Sequence, residues 1–239
     1  PLNILFCGSD AFSIYSLRAL HALQTTQPHA IHSIEVVCRP DKRVGRNLKN
    51  VRQVPIKSIA EELELPLHQL DTFKGWSPAP RTNLVVAVSF GLLVPARILG
   101  AAKYGGLNVH PSLLPDLRGP APIPRALLGR RERTGVTLQT MHPTQFDRGV
   151  VLERTAGVDV EGETVGSLVD ALGRRGAELL CGAIERGLFL GPFDGGEARV
   201  DAGDCEYASK ITAEDRRVNW TTWSSEEILL RDRVLGRLW

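Results

Sequence analysis

The sequence contains little of what marks several large classes of protein. Its four cysteines stand far apart and form no Cys-x-x-Cys pair, so neither a disulfide framework nor a zinc site is expected, and a reducing compartment fits better. No apolar run approaches the ~20 residues that a membrane-spanning helix needs. The formal net charge is only +2. Any contact with nucleic acid would therefore have to come from a local basic patch.

The start of the chain lacks a dinucleotide-binding fingerprint, although it has the pattern of a strand, a turn and a helix. An apolar run over Leu2–Cys7 leads into Gly8-Ser9-Asp10, and large apolar residues then recur every third or fourth position. Either Ser9 or Asp10 can cap that helix. Because no Gly-x-Gly-x-x-Gly follows the strand, a nicotinamide enzyme is not favoured.

The remaining apolar pattern predicts a mostly parallel sheet with helices on both faces. Leu84–Ser89 is an uninterrupted apolar run, as expected for a strand that is buried on both faces. Helices are predicted to begin at Pro55 and after Thr164. Further strands are predicted at Ile34–Cys38, Leu107–His110 and Thr134–Met141, followed by a hairpin of Val150–Arg154 with Ala156–Val160. We therefore predict an α/β fold that is Rossmann-like and doubly wound.

The most informative stretch runs from Gly105 to Pro124. Strand side chains alternate, so Asn108 and His110 are expected on the same face, at the point where Pro111 ends the ladder. Ligands bind at the carboxyl ends of the strands in such sheets. An Asn-x-His pair could equally hydrogen-bond to nearby backbone. The loop that follows is rich in proline and glycine, and it favours a site in which both side chains hydrogen-bond to one small oxygen atom of a ligand.

This stretch resembles the signature of the folate-dependent formyltransferases. Asn108, His110 and the later Asp147 match the catalytic trio of that family, and LRGPAPI (Leu117–Ile123) is most similar to its methionyl-tRNA formyltransferase branch. The similarity extends from ILFCGS near the start to YASKI and the tryptophans near the end. It implies the formyltransferase fold, 10-formyltetrahydrofolate as co-substrate and no metal.

The resemblance also implies a role for each residue of the trio. Asn108 and a protonated His110 would donate hydrogen bonds to the oxygen that becomes negative when an amine attacks the formyl carbon, a contribution of about 3–4 kcal/mol per donor in comparable sites. Asp147 would hydrogen-bond to His110, favour its charged form and accept the proton of the amine.

A slot for the folate pterin is implied beside the trio. One wall would be formed by Phe90, Gly91, Leu92 and Leu93, and the other by Ser112, Leu113, Leu114 and Pro115. The alternative for the first group is a hydrophobic turn that plugs the core. Ser112 is interpreted as a turn residue rather than a nucleophile, because no Gly-x-Ser-x-Gly surrounds it.

The segment from Arg39 to Lys57 carries seven basic residues and only one acidic residue, Asp41. A solvated, mobile loop is one interpretation. The other is a contact with RNA, because each Lys or Arg that neutralises a phosphate adds affinity, and PDKRVGR (Pro40–Arg46) is similar to the family's tRNA-contacting loop. The residues predicted to contact tRNA are Lys42, Arg43, Arg46 and Lys49.

The sequence predicts two regions and one main activity. Residues 1–190 are predicted to form the catalytic domain, and residues 191–239 a linker with the truncated start of a C-terminal tRNA-binding region. The expected activity is formyl transfer to the α-amino group of initiator methionyl-tRNA. Another amine (glycinamide ribonucleotide or a nucleotide sugar), hydrolysis of formyltetrahydrofolate, or a non-catalytic RNA-binding module are the alternatives. A monomer with no membrane partner is expected. The mitochondrial matrix is the expected location, with the bacterial cytoplasm as the alternative.

Overall fold

A computed structural model gives the structure of the protein over residues 1–44, 47, 49–193 and 205–239. The strands are β1 (Leu2–Gly8), β2 (Ile31–Cys38), β3 (Lys42–Val44), β4 (Asn50–Arg52), β5 (Leu67–Gln69), β6 (Leu84–Val88), β7 (Gly106–His110), β8 (Arg133–Thr134), β9 (Thr137–Thr140), β10 (Val151–Arg154) and β11 (Val158–Asp159). The helices are α1 (Ala11–Thr26), α2 (Pro55–Glu62), α3 (Ala96–Ala101), α4 (Pro122–Leu128), α5 (Val165–Glu185) and α6 (Ser225–Leu235), with a short 3-10 helix at Glu214–Arg216.

Seven strands form one sheet in the order β10-β9-β7-β6-β1-β2-β5. The strands β7, β6, β1, β2 and β5 run parallel to one another. Strand β9 runs antiparallel to both of its neighbours, β7 and β10. The predicted mostly parallel, doubly wound α/β fold is therefore confirmed. The chain leaves β1 outward through β2 and returns to β6 on the other side. Sheets of this kind bind ligands beyond the carboxyl ends of the strands at such a switch point.

The central strands bury both faces, which explains their unbroken apolar sequences. Ile4 and Phe6 of β1 belong to the apolar cluster that includes α1 and α5, whereas Leu5 and Cys7 belong to the cluster against α3. This is the period of two expected for a strand between two layers of helix. Asp10 caps α1 by accepting a hydrogen bond from the Ser13 backbone N–H at 3.1 Å. No helix in the described ranges is long and apolar enough to cross a membrane.

The predicted hairpin of Val150–Arg154 with Ala156–Val160 is wrong. The segment 133–140 pairs instead with the segment 151–159, because β10 lies antiparallel to β9 and β11 antiparallel to β8. Both segments bend where Val136 and Thr155 exchange two hydrogen bonds of 2.9 Å, so the predicted single strand Thr134–Met141 is also divided. Alternation along a chain indicates which face a residue occupies, but not which strand lies beside it.

The basic segment forms a two-stranded ribbon rather than an irregular loop. β3 runs antiparallel to β4, with Lys42 opposite Arg52 and Arg43 opposite Val51. Lys42, Arg43 and Lys49 are exposed, while Arg46 lies outside the described residues. Like charges directly opposite each other destabilise a strand pair. The ribbon therefore concentrates positive charge that nothing in the pairing itself neutralises.

We expect Gly149→Ala to destabilise the protein by more than about 3 kcal/mol. A Cβ atom at Gly149 would lie 1.6 Å from the carbonyl oxygen of Thr140, so β9 and β10 could not keep their present separation. Gly100→Ala in α3 is the matched control, because nothing lies within 4 Å of a Cβ there and alanine is favoured over glycine in a helix by about 1 kcal/mol. Urea unfolding of both variants measures the difference. Equal stability of the two would contradict the packing described.

Candidate active site

A cavity of about 390 Å³ lies at the carboxyl ends of β6 and β7, and Asn108, His110 and Asp147 all line it. The parallel register of the two strands sets Asn108 beside Ala87. Asn108 and His110 reach the cavity from alternate positions of β7, and Asp147 comes from the loop between β9 and β10. The structure thus brings the three residues of the predicted trio together.

The amide of Asn108 is held from two sides. Its Nδ2 donates to the backbone carbonyl of Ala87 at 3.0 Å, and its Oδ1 accepts from Nε2 of Gln139 at 3.0 Å. A side-chain amide nitrogen carries two hydrogens. One of them is committed to Ala87, and the other remains for a ligand in the cavity.

His110 is 5% exposed and faces a protein acceptor at each ring nitrogen. Its Nε2 lies 3.1 Å from the carbonyl oxygen of Leu117, and its Nδ1 lies 3.4 Å from Oδ1 of Asp147. The ring donates to both acceptors only when both nitrogens carry hydrogen. The contact with Leu117 was not predicted from the sequence, and it means that each ring nitrogen faces an acceptor of the protein in this arrangement.

Asp147 links two loops. Its Oδ1 faces His110, while its Oδ2 accepts from the backbone N–H of Gly119 at 3.0 Å. Its φ of 52° lies in the left-handed region, which few residues other than glycine adopt without cost. Strain of this kind persists only where the surroundings enforce it, and it clusters at functional sites.

The two predicted walls of the folate slot are placed differently. The residues of the first wall line the cavity, namely Phe90, Gly91, Leu92 and Leu93. The residues of the second wall do not. Leu114 and Pro115 line a separate small cavity, Ser112 donates to the carbonyl of Asp116 at 2.7 Å, and Leu113 packs against Gly135. Thr137 of β9 anchors this turn by accepting from the Leu114 N–H and donating to the Ser112 carbonyl.

Sequence reasoning missed several residues of the cavity. Gln139, Phe146 and Tyr207 line it, and Phe146 and Tyr207 are 56% and 62% exposed. Gln139 could have been suspected, since a polar residue interrupts the apolar strand TLQTM. Tyr207 gives no local signal of a site, because it lies far along the chain from the other residues of the cavity. Among the described residues, no group of three or more His, Cys, Asp or Glu side chains is placed to hold a metal ion.

The segment around Tyr207 supports the loop that carries the partners of His110 and Asp147. Leu117 N–H donates to Glu206 O at 2.9 Å, and Ala208 N–H donates to Arg118 O at 2.7 Å. A Cβ atom at Gly119 would lie 2.7 Å from Ala208 O, so glycine permits this close approach. Residues far apart in the chain therefore fix one wall of the site.

A second contact holds the C-terminal segment to α4. The carboxylate of Asp215 accepts from both terminal nitrogens of Arg125, at 2.8 and 3.1 Å, and from the Thr212 N–H at 2.7 Å. Burial alone would raise the pKa of Asp215, but the hydrogen bonds from Arg125 and Thr212 outweigh it and hold that pKa below its ordinary value.

The fold is that of a known class of enzyme. The chain matches the formyl transferase family over residues 2–184. Its fold is similar to a sugar N-formyltransferase from a Shewanella species, with TM-score 0.67, 16% identity and coverage of 96% of this chain and 86% of that one. It is also similar to a phosphoribosylglycinamide formyltransferase from Bacillus halodurans, with TM-score 0.59, 18% identity and coverage of 78% and 95%.

Comparison with curated relatives shows which group within the family the chain resembles. The chain is 36% identical to the mitochondrial methionyl-tRNA formyltransferase of Saccharomyces cerevisiae, in an alignment that covers 100% of this chain and 69% of that protein. It is 33% identical to the methionyl-tRNA formyltransferase of Methylobacillus flagellatus, over 92% of this chain and 70% of that protein. The chain therefore belongs to the formyl transferase family, in the group whose members are named methionyl-tRNA formyltransferase.

We expect Asp215→Asn to lower stability at pH 7 by about 2 kcal/mol, because hydrogen bonds to a charged group are lost. Since the folded-state pKa of Asp215 is lowered, its contribution is complete above the unfolded value of about 3.9 and is lost as the pH falls through the folded value. The difference in urea midpoint between the variant and the parent should thus shrink below about pH 4. Asp159→Asn is the control, because its pair with Arg133 is exposed at 80% and 61%. A loss at Asp215 that is the same at pH 7 and in acid would contradict this account.

Proposed function

We propose that this chain transfers a formyl group from 10-formyltetrahydrofolate to the α-amino group of methionyl-tRNA, and that Asn108, His110 and Asp147 carry the reaction. The observation that supports it best is the convergence of these three side chains on one cavity at the switch point, in a chain whose relatives carry that name. Family membership alone would not say which residues act.

The chemistry is a transfer between two nitrogens. A bond forms between the α-amino nitrogen and the formyl carbon, the bond from that carbon to N10 of the folate breaks, and one proton passes from the amine toward N10. The formyl oxygen becomes negative in between. The free amide hydrogen of Asn108 can donate to it, and the His110 ring, with Nε2 3.1 Å from the Leu117 carbonyl and Nδ1 3.4 Å from Asp147, would stabilise the negative oxygen when both ring nitrogens carry hydrogen. Asp147 accepts the proton of the amine directly or through one water molecule.

The cavity suits a flat co-substrate such as folate. Its volume of about 390 Å³ falls within the range of small-molecule sites, ~300–1,000 Å³. Phe90, Leu92 and Leu93 supply apolar surface, and Gly91 has a φ of 77°, which turns the backbone of this wall at the end of β6. Exposed backbone groups at such a turn can recognise the edge of a heterocycle.

The ribbon of β3 and β4 favours tRNA over a smaller acceptor. At its base, Asp41 accepts a 2.8 Å hydrogen bond from Lys57, which holds the pKa of Asp41 below its ordinary value. Lys57 is thereby neutralised. In the described part of this segment, Lys42, Arg43 and Lys49 form no ion pair, so their charge is available to phosphates. A sugar nucleotide or glycinamide ribonucleotide needs no such extended basic surface.

Three further features belong to this proposal. We place the activity in the mitochondrial matrix, on the similarity to a mitochondrial relative. We keep a division at residues 190 and 191, with the second region contributing to tRNA binding. It packs through Leu230, Val234 and Leu235 onto the same apolar cluster as the sheet. We expect a monomer, which sedimentation would establish.

We expect His110→Ala to lower kcat by about 100-fold or more, with little change in KM for folate, because we assign its ring to the transition state rather than to the bound co-substrate. Transfer of labelled formyl to methionyl-tRNA measures both constants, and release of formyl without tRNA tests for hydrolysis. The control is His32→Ala, an exposed histidine at the amino end of β2. Equal losses in kcat and folate affinity would make His110 a binding residue instead.

We expect Lys42→Glu combined with Arg43→Glu to weaken tRNA binding and reduce its salt dependence, by a slope of about 1 for each phosphate that is no longer neutralised. Folate binding should be unchanged. Arg81→Glu with Lys103→Glu alters the net charge equally, on exposed residues that precede β6 and β7 at the opposite edge of the sheet. Filter binding at several salt concentrations compares the two. The same salt slope in both double variants would show that the ribbon is only a solvated surface.

A further inference from the structure

Two buried polar atoms lack a hydrogen-bond partner beside the candidate site. Among the described residues, only three buried side-chain nitrogen or oxygen atoms are in this state, and two of them are Nε of Arg118 and Oε1 of Gln139. Both residues line one small cavity, together with Asp147 and Leu114. Leaving a buried donor and a buried acceptor unpaired is unfavourable, so each is expected to have a partner.

The cavity has the size and the chemistry of a site for one water molecule. The space open to the centre of a water molecule is about 10 Å³, close to the minimum of ~10–15 Å³ that a single bound water requires. A water needs two to four polar partners. The N–H of Arg118 can only donate and the amide oxygen of Gln139 can only accept, so one water between them would satisfy both.

The orientation of the Asn108 and Gln139 side-chain amides follows from a neighbouring group that can only accept a hydrogen bond. The carbonyl of Ala87 can only accept, so the nitrogen of Asn108 must face it. The oxygen of Asn108 then faces Gln139 and requires the nitrogen of Gln139. The oxygen of Gln139 is thereby directed away from Asn108, and Gln139 also lines the small cavity that Arg118 lines.

We propose that Gln139 is a positioning residue for Asn108, and that a water bound between Arg118 and Gln139 completes a hydrogen-bond chain in which every donor points along the chain toward the Ala87 carbonyl. The chain runs from the Arg118 N–H through the water and the Gln139 amide to the Asn108 amide and the Ala87 carbonyl. It fixes the amide nitrogen of Asn108 on the side from which its second hydrogen can reach the substrate oxygen. Hydrogen bonds in such a chain polarise one another, which strengthens Asn108 as a donor.

This inference rests on the proposed function for its catalytic consequence, but not for the chain of hydrogen bonds itself. It also gives Arg118 of the LRGPAPI loop a physical task. Residues of the loop already supply the Leu117 carbonyl to His110 and the Gly119 N–H to Asp147. Through Arg118, the same loop would reach Asn108 as well.

The test is Gln139→Glu, which keeps the shape and removes the donor. An ionised carboxylate cannot donate to Oδ1 of Asn108, so Oδ1 would face an acceptor in either orientation of the amide, the carboxylate or the Ala87 carbonyl. The Asn108 amide should then lose its fixed place as a donor to the substrate. We expect kcat, relative to the unaltered chain, to fall about 100-fold at pH 8. As the pH falls toward 6, a growing share of the introduced carboxyl, about 2% at an ordinary Glu pKa of about 4.3, takes up a proton and can donate again. The ratio should then rise by about threefold, with KM for folate little changed throughout.

Two further variants separate the proposed role from charge and from packing. Gln139→Met keeps the volume but can neither donate nor titrate, so kcat should fall without recovery at low pH. Gln145→Glu adds the same charge at an exposed position on the rim of the main cavity, and its ratio should show no recovery between pH 8 and pH 6. Thermal unfolding confirms that each variant is folded. A folded Gln139→Glu variant with full kcat, or with a loss that does not depend on pH, would overturn the positioning role.

A crystal structure of the unaltered chain at about 1.5 Å resolution tests the water independently of activity. Density bridging Nε of Arg118 and Oε1 of Gln139 supports the chain, and its absence, or a direct bond between those two atoms, overturns it. If the unaltered chain transfers no formyl to methionyl-tRNA, the proposed function fails. The density and the orientation of the Asn108 amide in the Gln139→Glu crystal still decide the hydrogen-bond chain.

Discussion

The antiparallel pairing of β9 with β7 is the constraint on which the candidate site depends. Its register sets Gln139 opposite Asn108 and Thr137 opposite His110. The same strand leads into the loop that returns Asp147 over His110, and the close approach of Gly149 to Thr140 fixes where that loop comes back. Two parallel strands alone would present Asn108 and His110 at the edge of the sheet. The antiparallel neighbour supplies the groups that orient them.

A second layer of support comes from the loop that follows β7. Its backbone offers a carbonyl to His110 at Leu117 and an N–H to Asp147 at Gly119. Backbone groups cannot rotate away as side chains can, so the histidine and the carboxylate are held in a fixed relation. Their mutual distance of 3.4 Å is longer than that of a strong charged hydrogen bond, about 2.7–2.9 Å. The backbone contacts at Leu117 and Gly119 thus hold His110 and Asp147 in place as much as the attraction between the two side chains does.

Much of the fold follows from local signals in the sequence. The apolar run of β6 and the Asp10 cap of α1 could be predicted because each depends on residues close together in the chain. The pairing of the segment 151–159 with the segment 133–140 could not, since period-two patterns are equally compatible with several partners. The ribbon of β3 and β4 was also missed, because Lys42, Arg43 and the residues of β4 are exposed and form no apolar pattern.

The residues of the candidate site likewise fall into those that the sequence could predict and those that it could not. Asn108 and His110 are two residues apart on one strand, so their common face was predictable, and the resemblance supplied Asp147. The second predicted wall, Ser112–Pro115, turns back against Thr137 and does not line the cavity, and its part in folate binding stays a prediction. Gln139 gives only the signal of a polar residue within an apolar strand, whereas Tyr207 enters through long-range packing, which no single-sequence pattern encodes.

The link between the loop and the segment around Ala208 consists of main-chain groups, from Glu206, Ala208, Leu117, Arg118 and Ala121. Contacts of this kind place little demand on side-chain identity. Gly119 and Ala208 are exceptions, because the approach at Gly119 is too close for a larger residue and Ala208 is fully buried. The side chains of the neighbouring residues can therefore change during evolution while the path of the backbone is kept. Divergent homologues can therefore share this wall of the pocket without sharing a recognisable motif for it.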